Sequence, residues 1–151
     1  MKNPIFVFVI IGTIISCSFN KEIDPENSKG KFDPDQYPQK WQLIEMSGSI
    51  ANVPPSTGSD MDWHEFYILN SDNTFIKSRE RDNVVTEETG IYAFVILSDE
   101  NYLELIYQSD NFLIGNCTGG VKELLILNSE NKLIGTWRAC DGPGLVYERV
   151  E

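Results

Sequence analysis

Trp63, Glu65, Tyr67, Lys77, Arg79 and Tyr92 fall within one thirty-residue stretch, WHEFYILNSDNTFIKSRERDNVVTEETGIY, and together offer two cations, a carboxylate and three aromatic rings. In an extended chain successive side chains point to opposite faces, so Trp63, Glu65, Tyr67 and Leu69 share one face. A three-residue turn through Ser71, Asp72 and Asn73 then sets Leu69 opposite Phe75, Tyr67 opposite Lys77 and Glu65 opposite Arg79. If that face lines a barrel, Leu69 and Phe75 close its apolar end, and Trp63, Tyr67, Lys77 and Arg79 form an aromatic, cationic mouth. A few polar groups in a mostly apolar cavity is the composition of a small-molecule site. This one suits a ligand with an acidic head and an apolar body. The other face reads His64, Phe66 and Ile68 against Ile76, Ser78 and Glu80. A slip of one residue puts that face inside and leaves Glu65–Arg79 an exposed ion pair of little energetic consequence.

The same residues argue against catalysis. The chain has one histidine, His64, between Trp63 and Glu65, and no serine or cysteine placed beside it as a nucleophile. No GxSxG, HExxH or phosphate-cradling glycine loop is present, and no CxxC spacing for a metal. Glu87 and Glu88 are adjacent, so an extended backbone points them to opposite faces. The expectation is a protein that is not an enzyme and carries no cofactor.

The start of the chain bears on its address. MKNPIFVFVIIGTIISC has one positive residue, Lys2, then an apolar run from Ile5 to Ile15 that is too short to span a bilayer. That is the shape of a secretory signal peptide over residues 1–16. Ile14-Ile15-Ser16-Cys17 also resembles the bacterial lipobox, in which a small residue precedes the cysteine that takes a diacylglycerol. The resemblance implies a mature chain beginning at Cys17 and anchored by palmitate-type acyl chains, three of which hold far more firmly than one. Residues 17–39, polar and rich in Pro and Asp, read as a flexible tether reaching roughly 25 Å. Asn20-Lys21-Glu22 loosely resembles the surface-export signal of Bacteroidetes lipoproteins. The expected location is the bacterial cell envelope, lipid-anchored to the outer membrane on its periplasmic or surface face.

Charge and cysteine usage agree with export. The formal net charge is −11, and removing residues 1–16 takes away Lys2 and no acid, giving −12. Such a chain repels phosphate backbones, so nucleic acid is not an expected partner. With Cys17 lipidated, Cys117 and Cys140 remain, an even pair in an oxidising compartment whose bridge would contribute roughly 3 kcal/mol. The alternative is a pair of buried thiols.

These features need a scaffold. KWQLIEMS (40–47) alternates, with Trp41, Leu43 and Glu45 on one face. A loop over 47–62 follows, its Pro54-Pro55 and Gly58 opposing regular structure. Apolar runs then recur at 63–69, 74–80, 86–98, 101–108, 112–118, 121–128, 133–140 and 145–150, separated by short clusters of Ser, Asp, Asn and Gly. Short strands on tight turns predict an antiparallel meander. Closing it removes both edges. The expected fold is therefore all-β, an antiparallel up-and-down barrel of about eight or nine strands over residues 40–151, with a two-sheet sandwich as the alternative. On this plan Cys117 and Cys140 end strands two apart, about 9.5 Å from each other, and bridge only if their turns bend together over the strand between.

The order of Trp41-x-Leu43, the hairpin Phe66–Phe75, Gly90-x-Tyr92 and Tyr147-x-Arg149 resembles the lipocalin-like families of bacterial lipoproteins, over roughly residues 40–150. Gln39 stands where lipocalins carry a glycine two positions before the first tryptophan. The resemblance implies that Arg149 packs over Trp41. The expected function is a membrane-anchored, lipocalin-like module binding a small, largely apolar ligand, with Trp63, Glu65, Tyr67, Lys77, Arg79 and Tyr92 as the candidate binding residues if that face lies inside. The alternative from another class is a solid barrel that contacts another protein through its 47–62 loop or acidic rim.

Overall fold

The computed structural model describes residues 35–48 and 52–150. The expected signal peptide, Cys17, the tether up to residue 34 and residues 49–51 of the long loop lie outside the described residues. Among the described residues nine strands make one antiparallel sheet: β1 (Gln39–Ser47), β2 (Ser56–Thr57), β3 (His64–Leu69), β4 (Thr74–Arg81), β5 (Val84–Leu97), β6 (Glu100–Tyr107), β7 (Lys122–Leu127), β8 (Lys132–Gly135) and β9 (Gly144–Arg149). From β3 to β9 each strand pairs with the next in sequence, and β1 pairs with both β3 and β9. That last pairing closes eight strands into the expected up-and-down barrel, while the two residues of β2 lie alongside the end of β1. The helical pieces among the described residues are two 3₁₀ turns, Gly58–Asp60 and Trp137–Cys140.

The turns explain the register. Leu69–Ile76 (LNSDNTFI) and Leu127–Ile134 (LNSENKLI) are two copies of one unit. In each, the first asparagine's N–H reaches across the turn, from Asn70 to the Thr74 carbonyl (2.9 Å) and from Asn128 to that of Lys132 (3.0 Å). The second asparagine, Asn73 or Asn131, takes the left-handed backbone (φ 64° and 57°) that Asn tolerates best after Gly. The first turn fixes β3 on β4 as the spacing predicts, with Glu65 opposite Arg79, Tyr67 opposite Lys77 and Leu69 opposite Phe75. This face lines the barrel; Glu65, Tyr67, Leu69, Phe75 and Lys77 are all essentially inaccessible. Arg149 stands directly opposite Trp41 in the β1–β9 ladder.

Three local expectations change. The β1–β9 register shifts between Leu43 and Glu45. This bulge turns Glu45 out of the inner series and buries Met46 instead. The apolar run 112–118 forms no strand; it folds across one end of the barrel, burying Leu113 and Ile114 and leaving Phe112 exposed. The run 133–140 is strand only to Gly135, then turns through the 3₁₀ segment that carries Cys140. Periodicity alone cannot distinguish a short apolar strand from an apolar cap.

Gly90 sits inside β5, opposite both Phe75 and Tyr107. A Cβ there would lie 2.0 Å from the Ile106 carbonyl oxygen and 2.7 Å from the Phe75 ring. The wall at this point is too close for any side chain. Gly90→Ala is expected to cost about 3 kcal/mol, the upper end for overpacking, measured as a shift in the urea midpoint at unchanged slope.

Candidate functional site: a closed charge centre in the barrel

Between the apolar end of the barrel and its capped end lies a cluster of charges. Alternation along each strand brings its members inward: Glu65 and Tyr67 from β3, Lys77 and Arg79 from β4, Tyr107 from β6, Glu123 from β7 and Tyr147 from β9. Lys77 Nζ donates to both oxygens of Glu123 (3.1 Å each) and to the Leu113 carbonyl (2.6 Å), and lies 3.3 Å from Glu65 Oε1. Glu65 accepts from Arg79 Nε and from the Tyr147 hydroxyl. Glu123 accepts from Tyr67 (3.1 Å), from Tyr107 and from the Gly115 N–H (3.1 Å). Two carboxylates thus face two cations, and the formal charges cancel.

Burial governs the tyrosines. Withdrawal from water raises the Tyr67, Tyr107 and Tyr147 hydroxyls well above their ordinary pKa, and the neighbouring carboxylates of Glu123 and Glu65 raise them further. The cause is physical: a phenolate here would lie beside a carboxylate with no water to screen it. All three therefore stay protonated and donate.

The cap seals the centre. Leu113 and Gly115, in the run expected to be a strand, supply a carbonyl to Lys77 and an N–H to Glu123. Cys117 of the same segment is bonded to Cys140 in the 3₁₀ turn, with Cα atoms 5.6 Å apart. The bridge therefore fastens the cap to the β8–β9 connection, rather than joining the ends of two strands as expected. Breaking it with Cys117→Ser and Cys140→Ser is expected to lower stability by about 3 kcal/mol, from the loop-closure entropy restored to the unfolded chain. Denaturant titration of that variant checks the figure.

Five of the six residues singled out from the sequence come together here, but not as an open mouth. Lys77 is fully enclosed, and its charge is spent on Glu65, Glu123 and Leu113. Arg79 and Trp63 stand nearer the rim, with the Arg79 guanidinium 4.6 Å from the indole centroid and that of Arg81 5.8 Å from it. Trp63 Nε1 is buried without a hydrogen-bond partner. Tyr92 lies toward the other end, its hydroxyl donating to the Asn70 carbonyl (2.7 Å) and raised in pKa chiefly by burial. Sequence reasoning missed Glu123, Tyr107, Tyr147 and the cap. The one available signal was Glu123 at an inward position of KELLIL, where a lone acid among leucines implies an internal cation.

A concave surface of about 490 Å³ lies on the outer wall, lined by Lys40, His64, Phe66, Ser78, Glu80 and Glu87 among others. His64 is exposed and faces Glu80 across the β3–β4 ladder. Glu87 and Glu88 point to opposite faces of β5, opposite Ser78 and Lys77 respectively. Among the described residues no group of three or more His, Cys, Asp or Glu is placed to hold a metal ion. Compared with family models, with curated proteins and with solved structures, the chain finds no match.

Proposed function

We propose that this chain is a lipid-anchored protein of the bacterial cell envelope, held through Cys17 and the 17–39 tether, whose barrel is an interaction module rather than a carrier or an enzyme. The observation that supports this reading is the filled and self-neutralised interior. Trp41, Leu69, Phe75, Leu103, Leu105, Leu125 and Leu133 occupy the inner positions at 1% exposure or less. The polar groups among them satisfy one another, and a ligand's acidic head would have to displace Glu65 or Glu123 to reach Lys77. With its interior committed to its own side chains, the barrel meets other molecules through its outer surface, the 47–62 loop or the acidic rim. The lipocalin-like resemblance belongs, in this reading, to the barrel and its anchor.

A second reading draws on Trp63. Its indole N–H has no partner, and the guanidiniums of Arg79 and Arg81 lie over its ring at 4.6 and 5.8 Å from the centroid. A small anionic molecule bound at that rim would find three donors.

Truncating the apolar end separates a solid interior from a hollow one. Leu69→Ala and Phe75→Ala are each expected to cost roughly 3–5 kcal/mol if the interior is packed, read by denaturant unfolding. Little loss at both positions would mean a cavity already present, and would return the carrier reading to first place.

A further inference from the structure

β5 is much longer than the strand it leans on. Its pairing with β4 ends at Thr74–Ile91, and one more bond, from the Tyr92 N–H to the Asn73 carbonyl (2.9 Å), meets the turn beyond. β6 accompanies β5 to Leu97 on the other side. Among the described residues, no strand lies along the β4 side of 93–97. Backbone groups alternate sides along an antiparallel strand. Since Tyr92 points its N–H toward the β4 side, Phe94 and Ile96 present theirs to the open edge, while Ala93, Val95 and Leu97 face β6.

The side chains of this edge read Ala-Phe-Val-Ile-Leu, five apolar residues without a charge. Ile96 is 72% exposed, Leu97 44% and Phe94 43%. A free, uncharged apolar edge is a template for another strand, and proteins ordinarily protect such edges with lysine, proline or a bulge. None of these stands between Ala93 and Leu97.

We propose that the edge Ala93–Leu97 pairs with the same edge of a second copy, antiparallel, around a two-fold axis at Val95. The proposal rests on the interaction reading above and names its surface and partner. In this register Val95 meets Val95, and Phe94 of each copy exchanges two backbone hydrogen bonds with Ile96 of the other. Ala93 lies against Leu97. The chosen occupant follows from charge, area and chain direction. With a net charge of −11 two copies repel one another over most of their surfaces, whereas this segment is neutral and matches itself. Five residues a side bury far less than the roughly 800 Å² per partner of a stable interface, so the pairing is weak in dilute solution. Anchoring supplies the missing concentration. β1 begins with Gln39 opposite Leu69, beside the 70–73 turn that Tyr92 contacts, so the first strand starts at the same end of the barrel as the free edge. Copies tethered in one membrane would hold their edges at a common height.

Cysteine crosslinking in membranes of cells producing the full chain tests this. Val95→Cys places two thiols at a directly opposed, non-hydrogen-bonded pair with Cα atoms about 4.5 Å apart, within disulfide reach. Mild oxidation is expected to convert that variant to a band at twice the chain's mass. Leu97→Cys, facing alanine, should stay single. Adding Ile96→Pro to Val95→Cys removes an outward N–H and should abolish the band, while a urea midpoint close to that of Val95→Cys alone shows that the barrel still folds. No Val95 crosslink, or equal crosslinking at 95 and 97, overturns the proposal. A crosslink to a different protein also overturns it, yet leaves the interaction reading standing. That reading fails separately if Leu69→Ala and Phe75→Ala cost little.

Discussion

Replacing Lys77 with methionine is expected to lower stability by about 3–5 kcal/mol, the usual consequence of leaving a buried charge without its partner. Methionine fills most of the lysine's volume, so packing is nearly conserved and the loss is electrostatic. Glu65 and Glu123 would then share one end of the barrel with Arg79 as the remaining cation inside the cluster, and the Leu113 carbonyl would lose its donor. At a total stability of 5–15 kcal/mol for ordinary domains, such a loss leaves the fold marginal. Arg81→Met is the control. Arg81 stands four residues beyond Lys77 on β4 with its side chain 62% exposed, and its substitution should leave the denaturant midpoint unchanged. Equal effects at the two positions would mean that the centre is open to water.

The second large effect lies in alkaline solution. Tyr67, Tyr107 and Tyr147 have folded-state pKa values raised above the ordinary 10, first by burial and then by Glu123 and Glu65. Below pH 10 the hydroxyls are protonated in both the folded and the unfolded chain, and they add no pH dependence. Above pH 10 the unfolded chain loses protons that the folded chain keeps, so stability falls as pH rises. Through these three groups the protein should lose about 4 kcal/mol of stability between pH 9 and pH 11, at 1.36 kcal/mol per proton per pH unit, and Tyr92, also raised by burial, adds to the fall. Urea titrations across that range read the slope directly, and Tyr67→Phe should remove one group's share, about 1.4 kcal/mol over the range. Tyrosinate absorbance from these residues should appear together with unfolding and not before it.

The hairpin at the heart of this centre was legible because two signals agreed. Period-two alternation assigned the faces of β3 and β4, and Ser71-Asp72-Asn73 set the turn length, which fixed every cross-strand pair from Glu65–Arg79 to Leu69–Phe75. The same turn chemistry at Asn128–Asn131 positioned β7 on β8. What escaped were contacts made at long range. Glu123 reaches Lys77 across 46 positions and Tyr147 reaches Glu65 across 82, and a one-dimensional pattern carries no such information. The 112–118 cap was misread for a different reason. A short apolar run that must cover a barrel end has the composition of a strand, and only the lack of a partner ladder tells them apart. The free edge of β5 was equally hidden, since strand length is visible in sequence but the neighbour's length sets which part stays uncovered.

Whether the barrel encloses anything besides its own side chains can be read by mass. The chain purified from its own envelope without detergent would be weighed under native conditions and again after mild denaturation. The two masses are expected to differ by no stoichiometric small molecule, any acyl chains on Cys17 being covalent and present in both. A small molecule released in one-to-one amount on denaturation would contradict it, and would make the barrel a carrier.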